Sequence, residues 1–316
     1  MNAKLRTVAV VLGALLWASA SAQQYPNKPI RFITVGGDDA IPRLVAQALS
    51  GQLGQQVFVE EHAGASGTIG AEVASRAPAD GYTFLVATSA HMVTHHFFKV
   101  SYDIVRDFEP VSLLASYPFV LLAHPSLPVT TLADLIALAK AKPGQLSYGS
   151  SGSGAINHLA GELFNMMAGT RLIHVPYKGG GPAAIALLSG EITLILGEPA
   201  SIVQHVKAGK LRAIAVTSAR HALAMPELPT VAEAGVPGYE VTSWNGILIP
   251  AGAPADVIKR LNGELNKIIS APDMHARMIE FGYEPVGGPP EKFGEHIRVE
   301  IAKWAPVVKA AGVRVD

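Results

Sequence analysis

The chain has 316 residues, 49% of them hydrophobic and 16% charged, enough apolar side chains for one large or two medium cores. Lysine plus arginine equals aspartate plus glutamate at 25 each, with no basic runs, which argues against a nucleic-acid partner. Cysteine is absent, which excludes disulfides, thiolate chemistry and a lipid-modified cysteine and leaves stability to hydrophobic packing.

Residues 1–22 read as a signal peptide. Lys4 and Arg6 supply a positive start, Val8 to Ala18 an apolar run too short to span a bilayer comfortably, and Ala20-Ser21-Ala22 a small-residue cleavage site. The mature chain is expected to begin at Gln23. With no later run of 18 apolar residues, it is expected to be a soluble protein of a bacterial periplasm.

Ile30 to Val35 reads as a buried strand, and Gly36-Gly37-Asp38-Asp39 turns it into a helix from Ala40 to Leu53, which either aspartate can cap. Val57 to Glu60 is a second strand. The Gly64 to Thr68 segment after it is read as a helix start rather than a ligand loop. Tyr82 to Ala87 is a third strand that ends in the hydroxyls of Thr88 and Ser89. Strands alternating with helices at this spacing predict a parallel sheet with right-handed crossovers, whose ligands sit beyond the strands' carboxyl ends.

Phe119 to Ala123 is another apolar strand, followed by a Pro-bounded turn and a helix from Leu132 to Ala141. A second α/β unit then begins with the strand Leu146 to Tyr148. The loop Gly149 to His158 leads it into an apolar-periodic helix, Leu159 to Ala168. A loop of small residues ahead of a helix points unpaired backbone N–H groups at one spot and favours negative charge there. This loop is read as the holder of a carboxylate. It lacks the spacing of a nucleophile elbow, of a dinucleotide fingerprint and of a phosphate loop.

The strand Leu172 to Pro176 leads through Tyr177 and Lys178 to a helix from Ala183. The strand Ile192 to Leu196 leads through Glu198 to a helix from Ser201, and Leu211 to Val216 is a strand. Asn245 to Ile249 and its Pro-bounded turn repeat the pattern at Phe119. These two segments read as crossovers between lobes, and three helices complete the C-terminal part. The expected architecture is α/β and two-lobed, each lobe a small, mostly parallel sheet flanked by helices. Lobe 1 comprises 23–124 and 222–316, and lobe 2 comprises 125–221. A hinge closes the two on a ligand.

The chain resembles the Bug-type extracytoplasmic solute receptors of tripartite tricarboxylate transporters over nearly its whole mature length. The resemblance rests on Asp80-Gly-Tyr-Thr-Phe-Leu, Asp107-Phe-Glu-Pro-Val, Ser150-Ser-Gly-Ser-Gly, His174-Val-Pro-Tyr-Lys-Gly179, Ala208-Gly-Lys-Leu-Arg-Ala213, the run Pro229 to Tyr239, and Ser243-Trp244. It implies a Venus-flytrap fold, no catalysis, no cofactor or metal, and a small organic carboxylate held by backbone amides and bridging waters. It also implies delivery of that ligand to membrane permease subunits by a monomeric receptor. Carried over by position, the ligand loop of the second lobe falls on Ser150, Ser151, Gly152 and Ser153. His158 and Tyr177 match positions near the cleft, Glu198 stands where the family usually has Asp, and Thr88-Ser89 matches a first-lobe loop facing the ligand. Gly36, Gly37 and Asp39 occupy a loop several residues shorter than the family's, without its proline. The glycine pair is expected to present amides there. Adjacent Asp38 and Asp39 repel an anion unless one is tied up as a cap, so altered ligand choice or reduced affinity is expected.

Other residues carry two readings. His91, His95 and His96 lack a carboxylate at a ligating offset, and a solvated or capping role is expected. Lys178 either pairs with a ligand carboxylate or only shapes its loop, and Trp244 either floors the cleft or fills the core. A secreted serine hydrolase of small esters, using a Ser and one of the 11 histidines, is the alternative function. The effector domain of a transcription regulator is a third.

Overall fold

The computed structural model describes residues 25–35 and 39–311. Residues 1–22, expected to be a signal peptide, and Gly36 and Gly37 lie outside the described residues. The first lobe opens with β1 (Ile30–Thr34), α1 (Ala40–Leu53), β2 (Val57–Glu61), a short 3-10 turn (Ala65–Gly67), α2 (Thr68–Ser75) and β3 (Thr83–Thr88). It continues into β4 (Phe108–Pro118). The second lobe runs β5 (Val120–Ala123), α3 (Leu132–Ala141), β6 (Ser147–Ser150), α4 (Ile156–Ala168), β7 (Ile173–Pro176), α5 (Gly180–Ser189), β8 (Leu194–Gly197), α6 (Pro199–Lys207) and β9 (Arg212–Val216). The chain then returns through β10 (Thr242–Pro250), α7 (Ala255–Ser270), α8 (Pro272–Glu280), β11 (Glu284–Pro285) and α9 (Pro290–Ala311).

Two mixed sheets result. The first has the order β11-β4-β10-β3-β1-β2 and the second β7-β6-β8-β5-β9. The parallel pairs are β1 with β2 and β3, and β6 with β7 and β8. Every other pairing is antiparallel, so the sheets are half parallel rather than mostly so. The antiparallel half comes from the crossovers. A strand that leaves one sheet and a strand that comes back run in opposite senses. The 11-residue strand β4 has no counterpart in the sequence reading because Pro110 and a bulge interrupt its pattern. Pro110 is tolerated because β11 covers β4 only at Ala115 and Ser116, leaving an open edge beside the proline.

Local signals account for several boundaries. At α3 the Thr131 hydroxyl accepts from the Asp134 amide at 3.1 Å while the Asp134 carboxylate accepts from the Thr131 amide at 3.0 Å, a reciprocal cap. Helices α1 and α4 stop at Gly54 and Gly169, both in the left-handed region at φ 64°. Trp244 is fully buried and meets Phe293 and His296 edge-on, which makes it core rather than cleft floor.

The lobes join where the two crossovers run side by side. Val120–Ala123, expected in lobe 1, pairs into the second sheet, and Tyr239 in the returning segment donates to the Ala160 carbonyl of α4 at 2.8 Å. Thr217 ties the crossovers together. Its hydroxyl accepts from the Phe119 amide at 2.8 Å and donates to the Val241 carbonyl at 2.6 Å, and its own amide donates to the Phe119 carbonyl at 3.0 Å. The residue is fully buried. Thr217→Val keeps the shape but strands a buried N–H and a buried carbonyl. It is expected to cost about 1–3 kcal/mol, read as a lower denaturant midpoint. An unchanged midpoint would show that the staple is dispensable.

Candidate functional site

A cavity of about 760 Å³ lies between the lobes. On the first-lobe side it is lined at the ends of β1, β2 and β3 by Thr34, Asp39, Glu61, Gly64 to Gly67, Thr88 and Ser89, with Ser243 and Asn245 from β10. On the second-lobe side it is lined by Ser151 to Ser153, Ala155 to Asn157, Tyr177 to Gly180 and Glu198. Val35, Pro42, Val86, Phe98 and Phe119 make apolar wall. Both sheets thus open the site at the carboxyl ends of their parallel strands, as the chain geometry of α/β units dictates.

The second-lobe wall is built from helix starts. Strands β6, β7 and β8 are neighbours, and each feeds a helix: α4, α5 and α6. The first amides of a helix have no carbonyl behind them. Among the described residues, nothing accepts from the amides of Ser153, Ile156, Asn157, Gly180 or Gly181. Most of the Gly/Ser loop's own amides are used internally. Ser151 donates to Asn157 Oδ1 at 3.2 Å, Gly152 to Ser150 Oγ at 3.2 Å, and Gly154 to His158 Nδ1 at 3.0 Å. Gly152 and Gly154 stand at φ 145° and 80°, where a side chain would be strained. The donors that remain are therefore helix starts and one loop amide, rather than the loop as a whole.

Behind the loop lies a packed polar layer. Ser150 Oγ and His174 Nε2 are 2.6 Å apart, and Ser150 Oγ donates to the Gly152 carbonyl at 3.0 Å. His158 stacks on His174 with ring centroids 3.6 Å apart. Ser150 is fully buried and His158 nearly so, and neither lines the cavity. They brace the loop instead of facing a ligand. Tyr177 does line the cavity, but its hydroxyl points away and donates to Glu191 at 2.7 Å. Burial, and then Glu191, push that phenol up to about 12.

Asn157, which the sequence reading passed over, organises the anion-facing corner. Its carboxamide accepts from the Ser151 amide and donates to Ser151 Oγ at 2.7 Å, and Ser151 Oγ donates to Glu198 Oε1 at 2.6 Å. Burial raises the Glu198 carboxyl above its ordinary range, and the Ser151 hydroxyl partly opposes this.

In the first lobe, Asp39 stands at the cap position of α1 but caps no helix amide. Its carboxylate accepts from the Thr34 hydroxyl at 3.0 Å, with Arg43 at 3.5 Å. Burial raises its carboxyl as well. Ser89 and Ser243 hydroxyls are 2.5 Å apart, both buried. The Gly64 to Gly67 segment, read as a helix start, also walls the cleft, with Ala65 and Ser66 in left-handed backbone at φ 45° and 52°. His91 is a cap: its Nδ1 accepts from the Thr88 amide at 3.0 Å. His95 and His96 are exposed.

A family model for the tripartite tricarboxylate transporter family receptor matches residues 41–313. The chain belongs to this receptor family. A curated relative from Pseudomonas sp. strain P51, the UPF0065 protein in the tcbD-tcbE intergenic region, is 36% identical over 96% of this chain and 93% of its own. Among solved structures, R. palustris Rpa4515 with adipate is 36% identical with a TM-score of 0.87, covering 92% of this chain and 99% of that one. The periplasmic binding protein BugD is 31% identical with a TM-score of 0.83, over 92% and 99% of the two chains.

The braced histidines make the receptor acid-sensitive. Burial pushes His91 and His158 down to about 4; burial, then the His158 neighbour, push His174 down to about 3. The unfolded chain takes up these protons near pH 6.5 while the folded chain does not, so stability is intact above that pH and is lost as pH falls toward 4. Each histidine contributes a slope approaching about 1.4 kcal/mol per pH unit. Denaturant midpoints at pH 7, 5.5 and 4.5 should fall in turn, less steeply for His174→Gln. A flat profile would contradict the assignment of buried neutral rings.

Proposed function

We propose that this receptor captures a small organic carboxylate between its lobes in the periplasm and passes it to membrane permease subunits. The carrying observation is the set of partnerless amides at Ser153, Ile156, Asn157 and Gly180 on one wall of the cavity. An anion there receives several N–H donors together with the positive ends of neighbouring helices, each worth about 0.3–1 kcal/mol before desolvation strengthens it. The adipate-bound relative supports the ligand class. Residues 1–22 would direct export and be removed after Ala22, and the mature receptor would act as a monomer.

Each site residue then has a part. The Ser153 amide and hydroxyl, with the amides of Ile156 and Gly180, hold the carboxylate oxygens. Lys178 lines the same wall and adds a positive charge. Ser151, Gly152, Ser150 and His158 keep the loop in shape, and Asn157 and Glu198 fix Ser151. Burial raises the Glu198 carboxyl, and the Ser151 hydroxyl engages one of its oxygens. Thr88, Ser89 and Asp39 face the ligand from the first lobe.

The protein is read as non-catalytic. The Ser150–His174 pair is the closest thing to a nucleophile and base. The serine is fully buried and lies outside the cavity lining, out of reach of an ester in the cleft.

Ile156→Pro tests the amide wall directly. Ala155 already sits at φ −67°, ψ 156°, which suits a residue before proline, and proline is favoured in the first helical position. The substitution deletes one N–H without changing charge, and Ile156→Ala controls for the lost side chain. Calorimetry with a bound carboxylate should show affinity about tenfold weaker for Ile156→Pro than for Ile156→Ala. Equal affinities would remove this amide from the site.

A further inference from the structure

The two ends of the cavity are charged differently. Among the described residues lining it, the second lobe contributes Lys178, Glu198 and the helix starts, whereas the first contributes Asp39 and Glu61 and no cation. Arg43 reaches Asp39 only at 3.5 Å from an exposed position outside the cavity lining. The sheet register brings these groups to one edge: Thr34 pairs with Glu61 across β1 and β2, and Asn245 stands opposite Thr88 across β10 and β3. The first-lobe wall is also biased toward acceptors. Thr34 has given its hydroxyl hydrogen to Asp39, and one of the two hydrogens of the Ser89–Ser243 pair is spent between them.

Asn245 is an independent second sign of a ligand group. It lines the cavity at 2% exposure, and its carboxamide oxygen has no hydrogen-bond partner. A buried carboxamide without a partner is costly, and rotation about its last bond offers either oxygen or nitrogen to an incoming group.

We infer that the ligand carries, at the end remote from its anchored carboxylate, a protonated amine in place of a second carboxylate. This rests on the carboxylate reading above. An ammonium is matched by Asp39 and Glu61 at the ends of β1 and β2, while Asn245, three strands from β2 along the same edge, is left for a donor elsewhere on the ligand. A second carboxylate would meet two like charges in a site that closure empties of water. The apolar middle of the cavity, at Val35, Val86 and Phe119, suits a methylene chain between the two ends.

The test uses the mature protein and three homologous series of about four to eight carbons: n-alkanoates, α,ω-diacids and ω-amino acids. Titration calorimetry at pH 7 is expected to show, at the chain length that binds best, an ω-amino acid at least about tenfold tighter than the diacid. Asp39→Asn and Glu61→Gln should each shrink that ratio. Glu61 is exposed, so its variant reports even if Asp39→Asn compromises folding. A diacid that binds as tightly as the ω-amino acid, or tighter, overturns the inference and leaves the carboxylate receptor standing. Binding by none of the three series overturns both.

Discussion

Three neighbouring parallel strands that each hand over to a helix produce one unavoidable result: several backbone N–H groups at a common edge with no carbonyl to meet them. At β6, β7 and β8 this edge faces a cavity rather than bulk water. Much of the second lobe holds that edge still. The stacked His158 and His174 rings, Ser150 and the left-handed Gly152 and Gly154 fold the loop back on itself, and Asn157 clamps Ser151 against Glu198. The cost is a set of buried neutral histidines and a buried carboxyl, which tie loop integrity to pH.

The first lobe does a different task with the same topology. Its strand ends also converge on the cavity, but they present Asp39, Glu61 and hydroxyls already engaged with one another. One wall donates and the other mainly accepts. Such an arrangement orients a ligand end to end before closure. The lobes are joined by a hydrogen-bonded pair of crossovers stapled at Thr217 rather than by a loose linker.

How much of this the sequence disclosed follows from range. Helices α1 and α3 were readable to the residue because the terminal Gly54 of the one and the capping side chains of the other act over one turn. The Gly/Ser loop was readable as a source of open helix-start amides because small residues before an apolar-periodic helix have few other uses. Its internal hydrogen bonds were not, since Asn157 and His158 fold back on it from the first turn of α4 and His174 reaches it from β7. For that reason Ser150 and His158, placed at the ligand by position, turn out to stand behind the loop. Strand β4 escaped because Pro110 and two-sided burial erase its alternation, and the antiparallel half of each sheet depends on pairings that no local pattern encodes. Gly64 to Gly67 was readable as a turn, but its place on the cleft depends on β2 lying beside β1.

The central claim is that helix-start amides, not side chains, grip the ligand. Backbone amide NMR of nitrogen-labelled mature protein, titrated with a carboxylate that binds, addresses it residue by residue. The account requires the largest downfield proton shifts at Ser153, Ile156, Asn157 and Gly180. Undisturbed resonances at those four positions in a saturated complex would contradict it.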